Sequence, residues 1–316
     1  IIIKNQPPQT DTRACNVHTL DFKNLHEYIA QKGFNVKAKQ LHDDSWILIE
    51  EKVFNLLEKI KDGKKTLGEY VGDKIFRGVL TGLNEAFVID KKTKNRLIKA
   101  DEKSAEIIKP FLAGRDIKCY RQPQPNKYLI LFPKGITKSW FGDLSENKAF
   151  KQLKLKYPSI CNFLNQFKNK AKIRLDKGDY WWELRACDYY EEFEKVKVVY
   201  PNICKRPEFS IDENSNYVNQ RCYMISNGNK NLIGLLNSRL YYFLFENILP
   251  KLRGGFYEPS YKYFKDFPVV ECSENQQLTQ KVTQILTLKR EDAQADTSTL
   301  EAEIDQMVYE LYGLTK

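Results

Sequence analysis

Phe54, Leu57 and Ile60 recur at helical spacing behind Glu50 and Glu51, which predicts a helix over about 50–61, ended by Gly63. Upstream, Ile1–Ile3 and Ala14–Val17 read as two short strands around the polar turn Gln6–Asp11. Past Gly63 the apolar runs shorten. Ile75–Leu80 and Ala86–Ile89 predict strands on either side of a turn at Thr81-Gly82-Leu83-Asn84. Lys91–Asn95 reads as a basic turn and Arg96-Leu97-Ile98 as a third strand. Asp101 suits the N-cap of a short helix over 102–108, stopped by Pro110. Lys127–Phe132 predicts a buried strand. Phe150, Leu153, Tyr157, Ile160, Leu164 and Phe167 mark the apolar face of a helix over 146–168 that Pro158 kinks or splits. Val196–Val199 and Tyr217–Ile225 predict further strands, then a turn at Asn227-Gly228-Asn229 and a helix over 230–247. The tail is helical. Leu278, Val282, Ile285 and Leu286 form one face, and Leu300, Ile304, Met307, Val308 and Leu311 another. Ser298-Thr299-Leu300-Glu301 fits a capping box, and Gly313 a C′ residue.

These elements predict an α+β fold: a curved, β-rich core over 69–268 with flanking helices, a connector over 1–68, and a helical hairpin over 269–316. A length of 316 residues, with 42% hydrophobic and 13% aromatic residues, suits about two domains with a sizeable core. No apolar run approaches the ~18 residues of a membrane span, and Ile1–Ile3 is too short for a signal peptide. No Met begins the chain, so it reads as a piece of a longer protein. The seven cysteines show no C-x-x-C spacing, and with three histidines a zinc site is hard to assemble. They read as reduced, mostly buried side chains of a cytoplasmic protein.

Charge changes the picture. The chain carries +10 overall. Residues 273–316 hold eight acidic and four basic side chains, net −4, which leaves +14 on residues 1–272. Such a surplus points to an acidic partner, most simply the phosphates of nucleic acid. Basic and aromatic residues interleave at Lys118–Arg121, Tyr180–Arg185, Lys251–Tyr257 and Tyr261–Tyr263, as contacts to phosphates, base edges and sugars require. The candidates are Arg77, Lys91, Lys92, Arg121, Arg185, Lys205, Arg206, Lys251, Arg253 and Lys262, expected in turns or loops lining one cleft. Arg185 has an alternative, burial against Glu183. Trp181 suits the core and Trp182 a lid. Catalytic chemistry is not expected: no G-x-G loop follows a strand, and Gln6-Pro7-Pro8-Gln9 lacks the amide and aromatic of a base-flipping loop. Asp44, Glu50 and Lys52 have the letters of a PD-ExK metal-dependent nuclease. Glu50 and Glu51, however, sit where a helix dipole favours acids.

Several segments in order carry a resemblance. They are Phe76–Ile89, Ile108–Ile117, Trp182-Glu183-Leu184-Arg185, Leu236–Leu240, Gly254-Gly255 ahead of Phe267-Pro268, and Ile304–Leu314. Across about 240 residues the chain resembles the C-terminal target-recognition region of TaqI-type adenine-specific DNA methyltransferases and of type IIG restriction–modification polypeptides. The resemblance implies that residues 1–20 are the last strands of a methyltransferase domain missing from this chain. That domain would bind S-adenosylmethionine and methylate adenine N6, and in type IIG proteins a nuclease precedes it. This chain would hold double-stranded DNA and read its sequence, without cofactor, metal or catalytic residue of its own. Thr81-Gly82 would be a structural turn and Arg115-Asp116 a loop or an internal ion pair. The alternatives are the same module in a phage-defence methyltransferase without nuclease, a self-contained Mg²⁺-dependent nuclease, and an RNA-binding or protein-interaction domain.

Overall fold

The computed structural model describes residues 12–17, 19–41, 46 and 48–314. The expected strand at Ile1–Ile3 and the turn after it lie outside the described residues, as do Asp44, His18 and His42. The chain divides into two compact units, Ile1–Lys65 and Thr66–Lys316.

In the first unit, β1 (Thr12–Ala14) pairs antiparallel with β2 (Phe34–Val36) around α1 (Leu25–Lys32). The Asn24 side chain caps α1 by accepting the His26 N–H. The expected helix before Gly63 is α2 (Glu51–Lys61), with Phe54, Leu57 and Ile60 buried on one face. β3 (Lys65–Thr66) follows.

The second unit opens with α3 (Leu67–Val71) and β4 (Ile75–Arg77). Here the pattern misleads. Thr81 donates its hydroxyl to Asn84 Oδ1 and accepts the Leu83 N–H. That turn starts a short helix, α4 (Asn84–Phe87), where a strand was expected, and β5 is only Val88–Asp90. The supposed basic turn and third strand are one helix, α5 (Lys91–Ala100). Asp90 caps it through the Thr93 N–H at 2.7 Å, and Leu97 is its buried contact. Asp101 stands before a 3₁₀ turn over Glu102–Glu106, its carboxylate taking the Ser104 hydroxyl.

Pro110 ends no helix; it lies inside β6 (Ile108–Leu112). The strand tolerates it because β10 (Tyr217–Val218) pairs only with Phe111 and Leu112, so the edge beside Pro110 has no partner strand. β6 also pairs antiparallel with β7 (Lys127–Ile130), and β7 with β5. α6 (Ile136–Phe141) follows. The long predicted helix then divides at the proline into α7 (Glu146–Lys156) and α8 (Pro158–Asn165), and α9 (Lys168–Ile173) ends the run. These helices, the β10-β6-β7-β5 sheet and the Tyr180–Leu184 segment share one core.

A second sheet has the order β4-β11-β8-β9, with β8 at Lys197–Pro201, β9 at Ser210–Asp212 and β11 at Cys222–Ser226. The single strand expected over Tyr217–Ile225 is therefore two strands in two sheets. Asn219 breaks it by accepting the Arg221 N–H on its side chain. The predicted helix over 230–247 also divides, into α10 (Lys230–Leu236) and α11 (Arg239–Ile248). Ser238 caps α11, and the Asn237 amide pairs with both backbone groups of Phe209. A hairpin of β12 (Lys251–Leu252) and β13 (Phe256–Tyr257), then α12 (Tyr261–Phe264) and β14 (Pro268–Val269), lead to the tail. There α13 (Gln276–Glu291) and α14 (Ser298–Leu311) form the expected helical region. The cap differs from expectation: Thr297, not Ser298, is the N-cap, with its hydroxyl on Glu301. Gly313 adopts the left-handed conformation at φ 63°.

Candidate nucleic-acid interface

β4, β11 and β8 alternate in direction, so the end of β4, the start of β11 and the end of β8 lie at one end of the sheet. Arg77 pairs with Tyr223 and Tyr223 with Tyr200 in register. Arg77 donates Nε to the Gln220 carbonyl at 2.9 Å. Tyr189 donates its hydroxyl to the Arg77 carbonyl and stacks on Phe76 with centroids 4.6 Å apart. The Arg77 guanidinium is thereby fixed on the Gln220 carbonyl. Arg77, Arg185, Tyr189, Tyr190 and Gln220 line one groove there, about 310 Å³ in volume.

One residue beyond Gln220, Arg221 opens a second hollow with Arg115, Asn202 and Ile203. The Asn202 N–H donates to the Arg221 carbonyl at 2.8 Å. Both arginines are exposed. Cys204 then forms a bridge to Tyr257, which ties the exposed Lys205 to the β12–β13 hairpin. Lys205 Nζ lies over the Phe256 ring at 5.2 Å, and Lys251 and Arg253 are exposed on the same hairpin. A row of cations thus runs from Arg185 through Arg77, Arg221 and Arg115 to Lys205 and the hairpin.

Gly78 makes the row possible. A Cβ there would stand 2.0 Å from the Asn219 carbonyl oxygen, so only glycine lets the chain after β4 pass the turn that carries Gln220 and Arg221. Gly82 has a different reason, φ +67°, as the tight turn at Thr81-Gly82 requires.

Other candidates have other surroundings. Lys91 and Lys92 are not in a turn; they occupy the first turn of α5 and are exposed. Arg121 is half-buried and donates to the Ala293 carbonyl in the loop between α13 and α14. Arg121 and Arg206 line a separate groove that also holds Glu208, Glu301 and Asp305. Burial there raises the Asp305 carboxyl above its usual value. Lys262 lies on α12, its ammonium 5.1 Å from the Tyr263 ring centroid. Arg185 is exposed and pairs with Asp176 at 3.3 Å, not with Glu183. Glu183 is fully buried and accepts the Gly135, Thr137 and Asp179 N–H groups. Trp182 is no lid. Like Trp181 it is buried, it donates Nε1 to the Thr137 hydroxyl at 2.9 Å, and it stacks on Tyr180.

Sequence reasoning passed over Arg115 as an internal ion pair; its Nε is 4.0 Å from Asp116, whose carboxylate is taken by the Ala113 N–H and the Asn126 amide. It missed Arg221 because a hydrophilic Asn219-Gln220-Arg221 triplet inside an expected strand was the only signal. It also missed Arg174, a buried arginine that donates to the carbonyls of Thr81, Trp181 and Glu183 over the Phe87 ring. Burial lowers its pKa to about 10.

Lys52 pairs with Glu50 at 2.9 Å at the start of α2, and Asp44 lies outside the described residues. Among the described residues no three His, Cys, Asp or Glu side chains group as metal ligands, and no helix is long and apolar enough to cross a membrane. All seven cysteines are free.

One mixed and one antiparallel sheet, joined at a cationic turn and followed by a helical tail, define the class of module. The model of the TaqI-like C-terminal specificity domain family matches residues 109–269, just over half of the sequence, and the chain belongs to that family. Its fold is similar to that of a type IIL restriction–modification enzyme, MmeI, solved in complex with DNA. The TM-score is 0.53 at 12% identity, over 77% of this chain and 33% of that one. The type IIG restriction endonuclease BpuSI matches with a TM-score of 0.40 at 13% identity, over 83% of this chain and 33% of that one. The chain therefore spans about a third of the length of either enzyme. No curated protein sequence matches it.

Proposed function

We propose that this chain is the double-stranded DNA recognition part of a cytoplasmic restriction–modification protein. The observation that carries the reading is the cationic row at the end of the β4-β11-β8 sheet, with Arg77 oriented by Gln220 and Arg115 and Arg221 exposed beside it. Arginine presents a planar fork of donors suited to guanine edges and phosphates. Lys205, Arg206, Lys251, Arg253 and Lys262 extend the positive surface, and Lys91 and Lys92 add to it. Those two lysines stand at the positive end of the α5 dipole, a placement that costs local stability and suits a phosphate partner. Arg121 and the acidic groove beside it belong to the attachment of the tail.

Membership of the specificity-domain family supports the same reading. In the parent protein we assign adenine N6 methylation, with S-adenosylmethionine as methyl donor, to a methyltransferase domain outside this chain. Chemistry on adenine needs the base extruded, so a separate domain must hold the duplex. A nuclease would be a further part of the parent. The test is duplex binding by the chain across salt, followed by selection from a random duplex pool. Log K should fall with log salt by about 0.9 per phosphate neutralised. Binding that ignores salt, by folded protein, would refute the reading.

A further inference from the structure

The end of α9 and the loop after it carry two solvent-exposed apolar side chains. Ile173 is 82% exposed and Leu175 97%. Between them Arg174 is buried, and its guanidinium is pinned to the carbonyls of Thr81, Trp181 and Glu183. The next residues lock the tip further. The Lys177 N–H donates to the Leu175 carbonyl at 3.0 Å, and the Lys177 ammonium to the Lys172 carbonyl. The Gly178 N–H donates to the Glu183 carbonyl at 3.2 Å. Isolated exposed leucines are common, but an apolar pair on a tip held from beneath by a buried arginine is pre-organised to meet something.

The groove beside the loop identifies the partner. Around the loop itself Lys170 is paired with Glu85 at 2.8 Å and Lys172 with Glu146 at 2.7 Å, so the cations that would meet a polyanion are those of the adjoining groove. Asp176, adjacent to Leu175, pairs with Arg185 at 3.3 Å, so the tip continues the groove of Arg77 and the row beyond it. We infer that Ile173 and Leu175 form an apolar wedge that enters the DNA and leans on the base stack at an opened step. The inference rests on the DNA-recognition reading and deepens it. Duplex-bending proteins insert leucine and isoleucine between base steps in this way, with lysines neutralising the flanking phosphates.

The experiment compares two labelled 30-bp duplexes that differ only by one abasic site, bound by the full 316-residue chain. At an abasic site the unstacking cost is already met, so a wedge should bind that duplex roughly tenfold tighter than the intact one. The double variant I173A/L175A should fold as the parent does, because neither side chain is packed, and should bind both duplexes with one affinity and an unchanged salt slope. L175M keeps an apolar side chain and should keep the preference. Replacing Arg115 and Arg221, which lie outside the tip, should weaken both duplexes and leave their ratio intact. Equal affinities in the unaltered chain, with steep salt dependence, would overturn the wedge and leave DNA recognition standing; the pair would then belong to a protein contact. A preference that survives I173A/L175A would equally overturn it. Absence of salt-sensitive binding by folded protein would remove the DNA reading and the wedge with it.

Discussion

Two buried cations have opposite lessons. Arg174 has carbonyl acceptors on three sides and, among the described residues, no ion pair with a carboxylate, and it holds the Gly82 turn, the 173–178 loop and the Trp181–Glu183 segment together. Arg174→Ala leaves those carbonyls without a donor and should cost roughly 3 kcal/mol or more of stability, read as a lower urea midpoint. Lys197 is fully buried with Asp212 at 2.7 Å. Burial pushes the Lys197 pKa down while Asp212 opposes that shift. Asp212 also accepts the N–H groups of Asn214 and Asn216. Lys197→Met should therefore strand a buried carboxylate and cost about 3–5 kcal/mol, measured by the same urea titration. Nothing in the one-dimensional pattern around Arg174 or Lys197 distinguishes them from the surface lysines nearby; their roles follow from what lies above them in the fold.

Elements were legible where apolar spacing was long and regular. The tail helices, α2, β7, and the α7–α8 break at Pro158 follow from it. α5 was not legible, because Leu97 is its one buried residue and Leu97-Ile98 is its only adjacent apolar pair, behind six polar positions. The usable signal was Asp90 as an N-cap, outweighed by the run of lysines. The Asp90 carboxyl is held below the usual value of 3.8, chiefly by the Thr93 N–H, with the charges of Lys127 and Lys92 adding. A depressed folded value means the cap contributes fully above 3.8 and is lost as pH falls through the folded value. Amide exchange over residues 91–94, corrected for its intrinsic pH dependence, should accelerate only in that acid range. Asp90→Asn should abolish the acceleration while keeping the helix, since Asn also caps. Gly78→Ala acts between elements. The methyl cannot share space with the Asn219 carbonyl, so the 219–221 turn must move. We expect lower stability together with weaker DNA binding than any surface substitution nearby gives, as compared by thermal melts and mobility shifts.

At the scale of the second unit, its two four-stranded sheets meet at a junction. Asn219–Arg221 links β10 in one sheet to β11 in the other, and Val79 bridges to Asn219 beside it. Replacing Arg115 and Arg221 together should reduce DNA affinity and flatten the salt slope by up to about 0.9 for each phosphate the two arginines neutralise. Replacing Lys91 and Lys92 should do the same alike for all sequences. If Arg77 reads a base edge, Arg77→Ala should instead cost roughly 1–3 kcal/mol at one base pair of the selected site. Competition against single-pair variants of that site would register the difference.

By itself the sequence determined the α+β composition, the helical tail and the basic character of residues 1–272, since periodicity and net charge are local sums. It also determined the family, because ordered motifs need no coordinates. Only the tertiary structure decided which cations stand together. Arg77 and Arg221 are far apart in sequence and reach one edge because antiparallel pairing returns alternate strand ends to it, while Arg115, after β6 of the other sheet, joins Arg221 where Gly114 packs beside Pro201 and the Arg221 carbonyl. Arg121 was equally basic in the sequence, yet the fold turns it toward the carbonyl of Ala293, in a groove whose acids are Glu208 and, from α14, Glu301 and Asp305. Charge is a property of residues, but a charged surface is a property of strand register.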